Sequence, residues 1–251
     1  MDSPLPSVTG QNAAPISILL INPNSSSHMT DNCLNSIASK LPAGVTVHGF
    51  TAPRPAPRAI EGRVDGILSS AECLRAIVPM QARFDAFLVC CFSHHPLVDA
   101  LREEVAQPVL GIMEASLYAA RMCGSRLGVV TTSERSAVNH ELAVAAYGFE
   151  RYSAGCPAAR GGACGVVGAA RKLVEERGAD AVCLGCAGMM GVREACEEAL
   201  GTAERQVMVV GGVAVGVQFL TALVRDGLGT AKRGAYRPAK EGRDARNQEW
   251  Y

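Results

Sequence analysis

The chain has 251 residues, 48% hydrophobic and 19% charged, with a formal net charge of zero. That composition can bury a sizeable core and excludes a disordered chain. The missing positive charge removes the electrostatic drive toward nucleic acid, and no apolar run reaches the ~18–20 residues of a membrane span. The N-terminus lacks a basic-then-apolar secretion pattern, so ten cysteines point to a reducing compartment, the cytoplasm, and to thiols rather than disulfides.

Residues 1–14 are rich in Pro, Ser and Asn and read as a flexible tail. "ISILLIN", 16–22, is a short apolar run between prolines, a buried strand. A helix follows the Ser run at 25–27, and "GVTVHGF", 44–50, alternates as a strand. A proline-rich loop leads to a helix at about 65–82 and the strand 85–90; a helix at about 97–106 and the strand 108–112 follow. The second half repeats this rhythm: strand 125–132, helix 133–148 with Ser133 as cap and Gly148 as stop, helix 164–178, strand 180–185, helix 191–200, strand 206–210 and helix 213–226. The charged segment 231–251 reads as a mobile tail. Short apolar strands alternating with helices predict an α/β fold with parallel sheets.

An offset of 95 residues places Asp85-Ala86 on Asp180-Ala181 and Cys91 on Cys186. Each cysteine stands one step past an apolar strand, where open α/β sheets bind ligands. The polar turns at Asn22, Asn24 and Ser25 and at Thr131 and Thr132 occupy the same edge. The residues leave four readings open. Zinc would use Cys183 and Cys186 with Cys90 and Cys91, but neighbours in an extended segment point apart and chelate poorly. Redox chemistry would want its first cysteine exposed at a helix start, whereas Cys183 lies inside a strand. Cys91 could be a nucleophile with His94 or His95 as base. The matched pair could also act as acid and base on opposite faces of an acidic C–H. Cys33, Cys73, Cys123, Cys156, Cys164 and Cys196 read as small buried residues. His28, His48 and His140 read as surface or loop residues.

The segments "INPNSSSHMT", "AIEGRVD", "CCFSHHPLV", "LGVVTTSERS" and "ADAVCLGCAGM" together resemble the aspartate/glutamate/hydantoin racemase superfamily. Its hydantoin and allantoin racemases and their fungal relatives are the most similar branch. The resemblance spans about 16–230. It implies two pseudo-symmetric Rossmann-like domains, 15–95 with about 210–230 and 96–209, and an active site in the cleft between them. It implies racemisation without cofactor or metal by Cys91 and Cys186, on a small molecule, in a homo-oligomer. Asn22, Asn24, Ser25, Thr131 and Thr132 would meet the substrate. So would the turns behind the cysteines: Phe92, Ser93, Ala187 and Gly188, with His95 orienting the first of them. The chain departs from relatives at His94 and Gly211, where acidic residues are common, and at Ser93, where bacterial hydantoin racemases often have glycine.

Overall fold

The computed structural model describes residues 14–185, 187–201 and 206–248. Among these, β1 (Ile16–Asn22), β2 (Val45–Thr51), β3 (Ala86–Val89) and β4 (Val109–Gly111) form one sheet in the order β2-β1-β3-β4. β5 (Leu127–Val130), β6 (Ala181–Leu184) and β7 (Met208–Val210) form a second, β5-β6-β7. Every pairing is parallel, as expected for strands apolar on both faces and linked by helices. The segment 153–158 runs beside β5 through parallel bridges at Ser153 and Ala158, a reduced counterpart of β2.

The duplication extends to atoms. Asp85 accepts the Ser17 N–H at 2.7 Å. Asp180, 95 residues on, accepts the Ser125 and Arg126 N–H groups at 2.8 Å each. Slight burial of Asp180 works against its charge, but the hydrogen bonds from Ser125 and Arg126 prevail and hold its carboxyl below the usual range. Each aspartate thus ties the start of one strand to the start of its neighbour. At the other end, Cys90 N–H donates to Ile21 O and Gly185 N–H to Val130 O, both at 2.7 Å. The two candidate cysteines each follow such an anchored residue, although Cys186 itself lies outside the described residues.

The helices on the outer faces are local to their sheets. α2 (Arg63–Ile77) and α3 (Pro96–Glu104) cover the first; α6 (Gly162–Glu175) and α7 (Arg193–Ala199) cover the second. The inner layer is exchanged. α4 (Ile112–Cys123) leaves β4 of the first sheet and packs on β5, β6 and β7. α8 (Gly212–Arg225) leaves β7 of the second sheet and packs on β1, β3 and β4. α1 (Ser27–Ile37) joins α8 on the first sheet, and α4 and α8 pack on each other. Alternate strand residues divide accordingly: Ile18, Leu20 and Leu88 join Val129 and Cys183 in one inner core. Leu19, Ile21, Phe87 and Val89 face an outer one, as the period of two requires.

Three expectations change. Residues 96–111, assigned above to the second domain, belong with the first sheet, because β4 pairs with β3 through Phe87–Val109, Leu88–Leu110 and Val89–Gly111. The helix expected over 65–82 ends at Ile77 and tightens into a 3-10 turn, Val78–Arg83, at Pro79, which lacks the N–H a continuing helix needs. The tail expected to be mobile is docked over its described part. Lys232 donates to the carbonyls of Arg102 and Glu103 at the end of α3, where the helix dipole favours a cation. Tyr236 donates to Asp99, and Arg243, in a short helix α9 (Lys240–Ala245), grips both Glu104 oxygens at 2.6 and 2.7 Å. Residues 1–13, within the expected N-terminal tail, lie outside the described residues.

The α4–α8 contact rests on Gly212. A Cβ there would stand 2.5 Å from the Ile112 carbonyl oxygen and against the Ser116 hydroxyl, and backbone cannot yield as a side chain can. Gly212→Ala should therefore lower stability by about 1–3 kcal/mol, as overpacking does, read from urea midpoints. Gly168→Ala on α6, where an added Cβ meets nothing, should leave stability unchanged or raise it by up to about 1 kcal/mol.

Candidate active site

Directly after β3 the chain turns through Cys91–His95 and enters α3 at Pro96. Ser93 N–H donates to Cys91 O at 2.9 Å, closing a tight turn. That turn presents the half-buried Cys91 to a cavity of about 420 Å³. The opposite walls come from α2 and its preceding loop (Ile60, Arg63, Ile67) and from α5 (Glu134–Ala146), through Asn139, Leu142 and Ala143. Ser93 Oγ lies 3.2 Å from Cys91 Sγ.

His95 fixes the turn. Its Nδ1 accepts the Leu97 N–H at 3.2 Å and so caps α3. That assigns the proton to Nε2, which donates to Ser69 Oγ at 3.2 Å, and Ser69 donates onward to Gly66 O at 3.1 Å. Burial lowers the imidazole pKa to about 4, so it is neutral, with both nitrogens engaged. It therefore cannot serve as the base of a Cys–His pair. His94 is half-exposed, edge-on to Tyr147 at 4.9 Å between ring centres and 3.7 Å from Asp99. Tyr147 OH is buried without a partner among the described residues, and burial pushes its pKa above the ordinary range.

Asn22, Asn24, Ser25, Thr131 and Thr132 are not among the described residues that line this cavity. Asn22 is buried and its side-chain N–H group serves Asn24, the Ser26 carbonyl and Thr30 at 3.0–3.2 Å. Asn24 in turn accepts the Ser26 N–H at 2.9 Å, and Ser25 Oγ donates to Ala56 O at 2.9 Å. These side chains build the loop and anchor it to residues 56–58. Thr131 is buried, with its backbone bonded to Pro157 and Ala159 and its hydroxyl unpartnered among the described residues; Thr132 is exposed. Ala187 and Gly188 open a 3-10 turn, Ala187–Val192, after β6.

His140 was missed. It lies on α5, 5% exposed, not on a surface or loop. Its ring stands edge-on to Phe92 at 5.4 Å, and a Cβ on Gly185 would come within 3.3 Å of its Cε1. It thus touches the strand exits of both halves. Burial lowers its pKa, against a weaker opposing hydrogen bond to the Phe92 backbone carbonyl. The available signal was spacing: Ser136, Asn139, His140, Ala143 and Ala146 all line the cavity and recur as one helical face. Among the remaining cysteines, Cys33, Cys73, Cys156 and Cys196 are buried as expected, whereas Cys123 and Cys164 are exposed. Cys183, buried beneath the second sheet's inner helix, is pushed up to about 12 by desolvation and by neighbouring Cys156. Among the described residues no three His, Cys, Asp or Glu side chains are grouped as metal ligands, and no helix is long and apolar enough to cross a membrane.

Two parallel-sheet halves with a thiol turn at a strand exit define a two-domain α/β protein with a candidate site at the sheet edges, where open α/β sheets bind ligands. Comparison carries this further: residues 18–220 match the Asp/Glu/Hydantoin racemase family, and the chain belongs to it; it is an isomerase. An uncharacterised protein of Schizosaccharomyces pombe is 36% identical over 235 residues, 88% of this chain and 97% of that one. A hydantoin racemase of Rhizobium meliloti is 33% identical over 234 residues, 87% of this chain and 93% of that one. Among solved structures, allantoin racemase from Klebsiella pneumoniae shares the fold with a TM-score of 0.80 at 27% identity, covering 89% of this chain and 93% of that one.

The cap predicts a measurable pH dependence. The folded state holds His95 neutral, its pKa depressed from 6.5 to about 4. Its contribution is therefore complete above about pH 6.5 and declines as pH falls toward 4, by about 3 kcal/mol in all. His95→Asn keeps a capping oxygen and has no such titration. The difference between wild-type and H95N stability should shrink over that window, read from urea midpoints at stepped pH. His95→Ala should cost a further ~1–2 kcal/mol at neutral pH through loss of the cap.

Proposed function

We propose that the chain racemises a small cyclic ureide, a hydantoin bearing an apolar substituent, with Cys91 and Cys186 as alternate base and acid. The observation that carries this is the Cys91 thiol at the exit of β3, opening on a cavity walled by Ile60, Ile67, Leu142 and Ala143. Such walls suit an apolar substituent, and Glu61, Arg63 and Asn139, which also line the cavity, offer polar partners to the N–H and carbonyl groups of a ureide ring. Support for the second cysteine comes from sequence: Cys186 follows Gly185 as Cys91 follows Cys90, and the anchoring bonds of Gly185 and Cys90 are the same. The hydantoin and allantoin racemases named among the relatives agree with a ureide substrate.

In the proposed step a thiolate removes the proton from the ring carbon beside the carbonyl, and electron density passes to that carbonyl oxygen as an enolate. The thiol of the opposite wall then returns a proton to the other face, inverting the centre and leaving the thiolate on the second cysteine. No cofactor is consumed, and solvent exchange at the thiols resets the enzyme. Hydantoins suit cysteine because the enolate is delocalised into the ring. A thiol with an ordinary pKa near ~8.5 needs only modest lowering to act. The Ser93 N–H is engaged by the Cys91 carbonyl, so the contribution of Ser93 comes from its hydroxyl.

Proton NMR in deuterated water tests this over a panel of allantoin, 5-substituted hydantoins, aspartate and glutamate. Wild type should exchange the ring C–H of both hands of an apolar-substituted hydantoin. Cys91→Ser and Cys186→Ser should each lose racemisation by about 10²–10⁴-fold while each keeps exchange of one hand, a different one in each variant. Undiminished racemisation in both variants would sink the two-thiol mechanism, and exchange of aspartate alone would sink the substrate.

A further inference from the structure

We propose that Ser93 is a positioning residue that stabilises the Cys91 thiolate and so breaks the symmetry of the two walls. This rests on the reading of Cys91 as an acid–base group. The Ser93 hydroxyl lies 3.2 Å from Cys91 Sγ, within hydrogen-bond reach of sulfur. The contact is held by backbone, since the N–H of the same residue closes the turn on the Cys91 carbonyl at 2.9 Å. Both side chains line the cavity, so the bond stands at the reacting edge of the thiol.

The direction of the effect follows from the partners. A thiol is a weak donor and a weak acceptor, so the neutral pair gains little. A thiolate accepts the Ser93 O–H as a charge-assisted bond, roughly twice as strong as a neutral one. The hydroxyl therefore favours the charged form and lowers the proton affinity of Cys91. The second wall lacks this serine at the matched position. At the offset of 95 the counterpart of Ser93 is Gly188, which carries no hydroxyl. The duplication that matches the cysteines is broken at this residue, two positions after each. The free enzyme then rests with Cys91 as thiolate and Cys186 as thiol, ready for the substrate hand whose C–H faces the first wall.

The test reads the thiol directly, without requiring turnover. Iodoacetamide alkylation of Cys91 is followed across pH by peptide-mapped mass spectrometry in wild type, Ser93→Ala, Ser93→Gly and Ser93→Thr. The midpoint for Cys91 should rise by about one pH unit in S93A and S93G, the scale expected from losing one hydrogen bond to a charge. It should stay near the wild-type value in S93T, which keeps the hydroxyl. In wild type the Cys91 midpoint should lie below that of Cys186. Equal Cys91 midpoints in wild type and S93A, or a Cys186 midpoint below that of Cys91, would overturn the proposal. Should the shift appear while no compound of the NMR panel exchanges its C–H, the tuning of Cys91 stands and the racemase reading fails.

Discussion

The structure depends on an exchange of helices between its two halves. α4 grows out of the first sheet and covers the second; α8 grows out of the second and covers the first. Neither sheet could bury its inner face with its own chain segment alone. Ile18 and Leu88 of one half therefore share a core with Val129 and Cys183 of the other. The halves are similar in plan yet not separable as folding units, because removing either withdraws a helix from the other. Such burial drives association in proportion to apolar area, and it fixes how the sheet edges face each other. The cleft geometry is thus set by the core, at a distance from any group that would meet substrate.

That constraint explains why so many polar groups near the edges are engaged by the protein itself. A strand exit leaves backbone and side-chain groups that must find partners where water is excluded. Asn22 ties the first loop to Thr30 and Ser26, and His95 ties the thiol turn to Ser69 and thence to Gly66 on α2. The result is a rigid frame around a small number of exposed reactive atoms. Pre-organisation of this kind holds a base in place before substrate arrives. The neutral state of His95 belongs to the frame: a charged imidazole could not accept the Leu97 N–H and cap α3.

Much of this was legible in the sequence, and the failures have physical causes. Period-two and continuous apolar runs report burial directly, so the strands and the α/β class were readable. The repeat at Asp85 and Asp180 was readable too, because both carboxylates do the same job at a strand start. Sheet membership was not: β4 is three residues long, and pairing between short parallel strands leaves no local mark, so 96–111 went to the wrong half. The C-terminal segment was misread because its polar pattern says nothing of partners; Arg243 meets Glu104 only once the chain has folded back 139 positions. His140 was judged alone, although its neighbours at helical spacing formed one cavity wall. Asn22 was recognised as a residue at the edge, but sequence carries no account of which of its hydrogen bonds are already made.

The two walls of the cleft differ more than their common plan suggests. The first has a serine hydroxyl on its thiol, a buried histidine cap behind it and His94 against Tyr147. At the matched positions the second has Gly188, Met189 and Met190, none of which can donate a hydrogen bond from its side chain to a charge. A racemase must treat both hands of its substrate, yet its resting state need not be symmetric. With equal amounts of the two hands at equilibrium, an unequal pair of thiols shifts which protonation state waits in the free enzyme, not where the reaction ends. Polar asymmetry on one wall is therefore compatible with a freely reversible reaction.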